Sequence, residues 1–344
     1  MNVGELGEFG LIERIRKILP EGGRDVLVGI GDDVAVLRRE DGRVWLATCD
    51  VQVEGSHFLR EAIDPRDLGH KALAVNLSDV ASAGGAPRFA LVSLGLPRNL
   101  EVSFVEGIYE GLREEAGRHG VDVVGGNISS VRHGLFIDIF LIGEAVADEV
   151  VLRSGAKPGD RILVTGSIGD AAAGVALLLD PTLKAEATYA DVARLRRDRP
   201  EPRVREGRIV GSSGLASAMI DISDGLAGDL GHIFERSGVS ARIDAARLPA
   251  ALENRRLGLA YKGDEWHFAL HGGEDYELLI ASPPEKAGHL AATITEATGT
   301  PVADVGEILE GGRPAELVLP DGKIVGLGGG GWDHFAVPKK GEGR

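Results

Sequence analysis

The chain is short of cysteine, aromatic residues and positive charge, and each shortage closes off a class of function. One cysteine, Cys49, stands in 344 residues, so no disulfide framework and no cysteine zinc cluster can form within the chain. Aromatic residues are 5% of the total, so the cores must be aliphatic. Lys and Arg number 38 against 53 Asp and Glu, a formal charge of −15. That balance argues against a nucleic-acid surface, which needs a basic stripe, and against polybasic docking on a membrane. No apolar run approaches the length that spans a bilayer, and Met1–Ile15 carries early acids rather than the apolar stretch of a signal peptide. A cytoplasmic protein that binds neither nucleic acid nor membrane is the expectation. The common nucleotide signatures are missing: there is no G-x-x-x-x-G-K-[ST] and no protein-kinase set. No Ser–His–Asp or Cys–His arrangement can be assembled either.

What the chain has is 43% apolar residues and fifty glycines, enough for two aliphatic α/β domains with many tight turns. Val34–Arg38 and Val44–Thr48 flank Glu40-Asp41-Gly42, which predicts a hairpin and puts Asp50 just past a strand end. Asp64-Pro65 opens a helix that closes by Gly84-Gly85. Phe89–Leu96 reads as a strand, Val102 to Leu112 has helical spacing closed by Gly120, and Val121–Val124 reads as a strand ending at Gly125-Gly126-Asn127. After the boundary, placed near residue 149, Arg161–Thr165 and Ala218–Ile222 are further strands, each leading into a helix. The expected division is 1–149, 150–338 and a tail over 339–344. The charged, proline-bearing segment 180–208 is either a helix and loop over a site or a solvated excursion.

Five acidic clusters fall where the chain is expected to turn: Gly31-Asp32-Asp33, Thr48-Cys49-Asp50, Ser78-Asp79, Asp221-Ile222-Ser223-Asp224-Gly225 and Gly272-Gly273-Glu274-Asp275. A carboxylate at the end of an apolar segment is costly unless a cation meets it. One such cluster is an ordinary turn or helix cap. Five together point to shared Mg²⁺ ions carrying a polyphosphate, since Mg²⁺ takes a few carboxylates and shares oxygens with phosphates. Asn76 and Asp79 share a helix face, for function or as a buried hydrogen bond. Gly166–Gly174 has a strand–glycine–helix context that either cradles a phosphate or packs backbone closely. Cys49 reads as a small strand-end residue, since neighbouring carboxylates disfavour a thiolate. Arg153 is a phosphate clamp or a surface arginine. His57 faces the same site as Asp50 or is an ordinary surface or core histidine. Gly328–Gly331 before Trp332 offers a stacking platform or a terminal plug.

Seven motifs, in order along nearly the whole chain, resemble the thiamine-monophosphate kinase family. They are Gly29–Asp33, Val53–Phe58, Lys71–Asp79, Arg153–Asp160, Asp221–Gly225, Gly272–Leu278 and Gly331–Phe335. The resemblance implies the two-domain α/β (α+β type) fold of the aminoimidazole-ribonucleotide synthetase superfamily, with N-terminal domains of two chains pairing into a β-barrel in a homodimer. It implies transfer of the ATP γ-phosphoryl group to thiamine monophosphate, giving thiamine diphosphate. By motif, Asp33, Asp50, Asp79, Asp221 and Asp224 would bind several Mg²⁺ ions, with Thr48 and Cys49 at metal-contacting positions. Gly126, Asn127, Arg153 and Ser223 would contact ATP, as would Tyr109. His57, Glu274 and Trp332 would contact thiamine monophosphate. Two positions depart from the family's usual pattern: Asn127 stands where it has a metal-binding Asp, and Cys49 where it has Thr. The implied acceptor is already an anionic phosphate monoester, so positioning and charge neutralisation suffice and no protein general base is expected. The competing readings are a sibling enzyme with another acceptor and an inactive ATP- or metal-binding regulator.

Overall fold

A computed structural model describes residues 2–19 and 22–328. The first unit is a six-stranded sheet made of β1 (Val26–Val28), β2 (Ala35–Arg38), β3 (Arg43–Val53), β4 (Ala86–Pro97), β5 (Asp122–Val131) and β6 (Phe136–Val146), in the order β1-β2-β3-β6-β4-β5. Only the β4–β5 pair is parallel, and β5 forms an edge. Ahead of it lie α1 (Val3–Leu6) and α2 (Glu8–Ile18); α3 (Pro65–Ser82) and α4 (Val102–His119) belong to the sheet. The Asp64 side chain caps α3 by accepting the Arg66 N–H at 2.9 Å, with Pro65 in the first turn. The helix α4 stops at Gly120 in the left-handed conformation, as expected.

The second unit follows the same physical logic. Its strands are β7 (Arg161–Thr165), β8 (Ala218–Ile222), β9 (Val239–Asp244), β10 (Glu277–Ser282), β11 (Val302–Glu310), β12 (Glu316–Val318) and β13 (Ile324–Gly326), ordered β13-β12-β9-β11-β7-β10-β8. Its helices are α5 (Asp170–Leu179), α6 (Ala187–Asp198), α7 (Val204–Ser213), α8 (Leu226–Ser237), α9 (Leu252–Lys262), α10 (His267–His271) and α11 (Pro284–Thr298). The strands β8 and β10 are buried along their whole length because helices cover both faces. Ile220 and Ile222 pack towards Leu226 and Leu230 of α8, while Met219 and Leu278 pack towards Leu290 and Ile294 of α11.

Two strand ends differ from the sequence expectation. Asp50 lies inside β3, and Gly126 and Asn127 lie inside β5. Both strands run on because β6 and β4 offer them partners, and cross-strand pairing overrides the turn signal of short polar residues. The segment 180–208 is no solvated excursion. It forms α6 and leads into α7, and it is tied to the first unit by Arg199 to Asp67 at 2.9 Å and by the Pro200 carbonyl to the His70 ring at 2.8 Å.

The first sheet is covered unevenly. Leu68, Leu73, Leu77 and Val80 of α3 fill one face. On the other face Val51, Phe89, Leu91 and Phe140 are exposed. No helix among the described residues is long and apolar enough to cross a membrane.

Candidate active site

Four segments bring carboxylates together between the two sheets. Asp33 comes from the bend before β2, Asp50 from β3, Asp79 from α3 and Asp221 from β8. Oxygens of Asp33, Asp79 and Asp221 all lie within 4.8 Å of one another. Hydroxyls hold them in place: Ser82 donates to Asp33 at 2.8 Å, Ser78 to Asp221 at 2.6 Å, and Thr48 to Asp79. The Asn76 carbonyl oxygen accepts the Asp50 N–H at 3.0 Å, so the polar face of α3 serves the site directly.

The electrostatics describe a centre short of positive charge. Burial, and then the negative charges of Asp50, Asp221 and Asp33, push the Asp79 carboxyl well above the ordinary range. Burial and the neighbouring Asp33 push Asp221 up too, against the Ser78 hydrogen bond and Arg153. Arg153, in the linker between β6 and β7, is the one guanidinium bound into this group among the described residues, gripping Asp33 through Nε and Nη2. Burial works against its charge, but Asp33 more than compensates and its pKa is raised. The Arg153 N–H also donates to Asp32 at 3.3 Å, which fixes the linker. An all-oxygen, part-buried carboxylate set with too little cation fits a hard divalent metal such as Mg²⁺.

The loop after β8 is built with equal care. The buried Asp229 of α8 accepts the N–H groups of Ser223 and Asp224 at 3.1 and 3.2 Å. Gly225 has φ +104, and a Cβ there would meet the His271 and Gly272 backbone within about 3 Å. Asp224, Asp229 and His232 form a second group whose ligand atoms share a 4.8 Å neighbourhood. Glu274 follows at φ +70, with its N–H on the Ser223 carbonyl at 2.8 Å. The buried Tyr276 lies beside it, its hydroxyl pKa raised by burial and then by Glu274, Asp50, Asp221 and Asp79.

Several expected residues stand elsewhere. Asn127 pairs in register with Ser93, Ser93 with Asp138, and Asp138 with Val51. That row is the bare face of the sheet, opposite Thr48, and β5 is three strands from β3, about 14 Å. Within one chain Asn127 and the adjoining Gly126 are therefore apart from the carboxylate centre, and Tyr109 is a partly exposed residue of α4. Cys49 shares the bare face and donates to Asp138 at 3.1 Å. Burial, then the Asp138 contact and the Asp50 charge, push its thiol up to about 12, so it is no nucleophile. His57 sits in the turn after β3, where its Nδ1 accepts the Val53 N–H at 3.0 Å. Trp332 lies outside the described residues. The Gly166–Gly174 loop packs rather than cradles: the Asp275 carboxylate already takes the Gly169 N–H at 2.7 Å at the start of α5.

Lys71, Asp229 and Tyr276 belong to the site without any signal in the sequence that singles them out. Lys71 and Tyr276 lay inside recognised motifs, and Asp229 looked like an ordinary acid in the first turn of a helix.

Two family models match in series: AIR synthase related protein, N-terminal domain, over residues 31–145, and AIR synthase related protein, C-terminal domain, over 157–318. The thiamine-monophosphate kinase of Aquifex aeolicus is 39% identical over 336 residues, 97% of this chain and all of the relative. The Bacillus subtilis enzyme of the same name is 37% identical over 332 residues, covering 96% of this chain and 100% of its own. The chain belongs to the thiamine-monophosphate kinase family. A solved structure of the family, "AaThiL complexed with AMPPCP and TMP", superposes with a TM-score of 0.82 at 37% identity, covering 97% of this chain and 99% of that one. Hydrogenase maturation protein HypE, in a complex with HypF, matches at 20% identity with a TM-score of 0.75, which shows a shared fold and no more.

Proposed function

We propose that this protein phosphorylates thiamine monophosphate with ATP, yielding thiamine diphosphate and ADP. The observation that supports it most is the part-buried group Asp33, Asp79 and Asp221, drawn from three separate segments of a family member and short of positive charge. A bound Mg²⁺ supplies charge neutralisation and alignment of donor and acceptor phosphates. Asp33, Asp50, Asp79, Asp221 and Asp224 would hold several such ions, the Thr48 hydroxyl orienting Asp79 and the Ser78 hydroxyl orienting Asp221. Arg153, from the linker between β6 and β7, would clamp a phosphate oxygen with the charge of Asp33 neutralised, and Ser223 would offer its hydroxyl from the loop after β8. His57, Glu274 and Trp332 would receive the thiamine end. The acceptor is a phosphate oxygen already ionised near neutral pH, so these residues orient it and need remove no proton.

The active form is a homodimer. The bare face of the first sheet, with Val51, Phe89, Leu91 and Phe140 exposed, supports pairing of two N-terminal units. Pairing would cover that face and bring Asn127, Gly126 and Tyr109 of one copy near nucleotide and metal. Sedimentation should give twice the chain mass, and Phe140→Arg should give a monomer of low activity; a monomeric, fully active wild type contradicts the pairing.

The decisive assay incubates the protein with ATP, Mg²⁺ and thiamine monophosphate and measures thiamine diphosphate, with free thiamine as the control acceptor. Product should form from the monophosphate and vanish in excess chelator. Turnover in chelator would sink the metal-based mechanism, and no product with Mg²⁺ present would sink the reading of function.

A further inference from the structure

Lys71 has the largest of the fully buried side chains among the described residues, with 1% exposure. A buried ammonium is retained only where it is paired. Its Nζ lies 2.6 Å from Glu274 Oε1 and donates to the His57 carbonyl oxygen at 3.3 Å. These partners come from different units: His57 follows β3 of the first sheet, and Glu274 precedes β10 of the second. One cation thus joins the two walls that the proposed function gives to the thiamine end.

The position of Lys71 on α3 adds a second argument. Lys71 and Ser78 are seven residues apart, so they share a stripe of the helix about 10 Å apart along its axis. Both cross to the second unit, Ser78 to Asp221 and Lys71 to Glu274. The helix therefore sets the distance between the carboxylate centre, where phosphates meet, and the carboxylate at the far end. Glu274 also holds an unusual backbone. It has φ +70, and Tyr276 two residues on has φ +52, conformations that non-glycine residues keep only when their surroundings fix them. The N–H groups of both bond to β8 and its loop, at the carbonyls of Ser223 and Ile222. Lys71 fixes the remaining freedom, that of the Glu274 side chain. With Oε1 bound to the ammonium, Oε2 remains for a ligand.

We propose that Lys71 is a positioning residue for the acceptor. It holds the Glu274 carboxylate and the His57 turn in the geometry that takes the ring system of thiamine monophosphate, and it does not touch ATP. This rests on the proposed function. The test is steady-state kinetics of Lys71→Met, Glu274→Gln and the double variant, alongside the wild type. Lys71→Met should raise KM for thiamine monophosphate about tenfold or more, because the half-buried Glu274 carboxylate loses its charged partner. KM for ATP should stay within about twofold, since uniform damage to the fold would move both constants. The double variant should be little worse than Glu274→Gln alone, because Lys71 acts through Glu274. Equal shifts in both KM values, an unchanged acceptor KM or additive effects would overturn the role. If Lys71→Met does not fold, Lys71→Gln keeps a donor in place and is held to the same split between the two KM values. A wild type that makes no thiamine diphosphate refutes the function itself. A wild type that makes it, with no split in the Lys71 variants, refutes only the role of Lys71.

Discussion

Asp221 is buried and Asp79 half-buried, the two repel each other and Asp33, and a fold selected for stability alone would not keep them so. Their neighbours show what they are kept for: Thr48, Ser78 and Ser82 each spend a hydroxyl on aiming a carboxylate. At this scale much of the site was readable, since Asp, Ser and Gly in short clusters carry their chemistry in their identity. Lys71 and Asp229 were not readable, because a lysine or aspartate on a helix is ordinarily solvated and only burial shows otherwise. Asn127 is the position most open to test. If a second copy brings it to the metal, Asn127→Asp adds a charged ligand and should lower the Mg²⁺ concentration for half-maximal rate by roughly threefold to tenfold. A Mg²⁺ titration of wild type and variant decides, and superimposed curves would remove Asn127 from the metal site.

At the scale of elements, the site depends on how closely α3 and α4 approach. A Cβ on Gly69 would lie 1.9 Å from the Ile108 carbonyl oxygen, and one on Gly111 would lie 1.9 Å from that of Arg66. The two helices touch backbone to backbone, which seats Lys71, Asn76, Ser78 and Asp79 on their sheet. Gly69→Ala should therefore cost about 2 kcal/mol despite the better helix propensity of alanine. Gly117→Ala on α4, where nothing lies within 4 Å, should instead stabilise by up to about 1 kcal/mol. Urea midpoints of the two variants should move in opposite directions, and movement in the same direction would contradict the close packing. Helix bounds were legible because Asp64-Pro65 and Gly120 are cap chemistry written locally. Strand ends at Asp50 and Asn127 were not, because their continuation is decided by neighbours far away in sequence.

At the scale of the whole molecule, a buried polar cluster bolts the units together. Glu115 is fully buried and lies 3.1 Å from His119, 3.0 Å from His70 and 2.8 Å from Arg118. His70 also meets the Pro200 carbonyl, and Arg118 reaches Glu201, so the cluster carries the connection before α7. Burial alone would raise the Glu115 pKa, but the bonds from His119 and His70 outweigh it and hold the carboxyl well below its usual range. A depressed carboxyl stabilises the fold fully above its unfolded pKa, about 4.3, and that contribution fades as pH falls through the folded value. Glu115→Gln should thus lose about 2 kcal/mol near neutral pH, with the gap to wild type closing in acid. Melting temperatures of both proteins across pH 3 to 7 test the sign; a gap that widens in acid would contradict it.

The amino-acid sequence by itself determined the aliphatic two-unit architecture, the turn and cap positions and the chemical character of the site, because periodicity, caps and acidic clusters act locally. Only the tertiary structure decided which acids share a cation and which stand apart. Asp33, Asp79 and Asp221 meet because β8 is laid against α3, while Asn127 is turned away on an edge strand by the register of the sheet. Lys71 became visible in the same way, since burial and pairing belong to the packed chain and leave no mark on the residue letter.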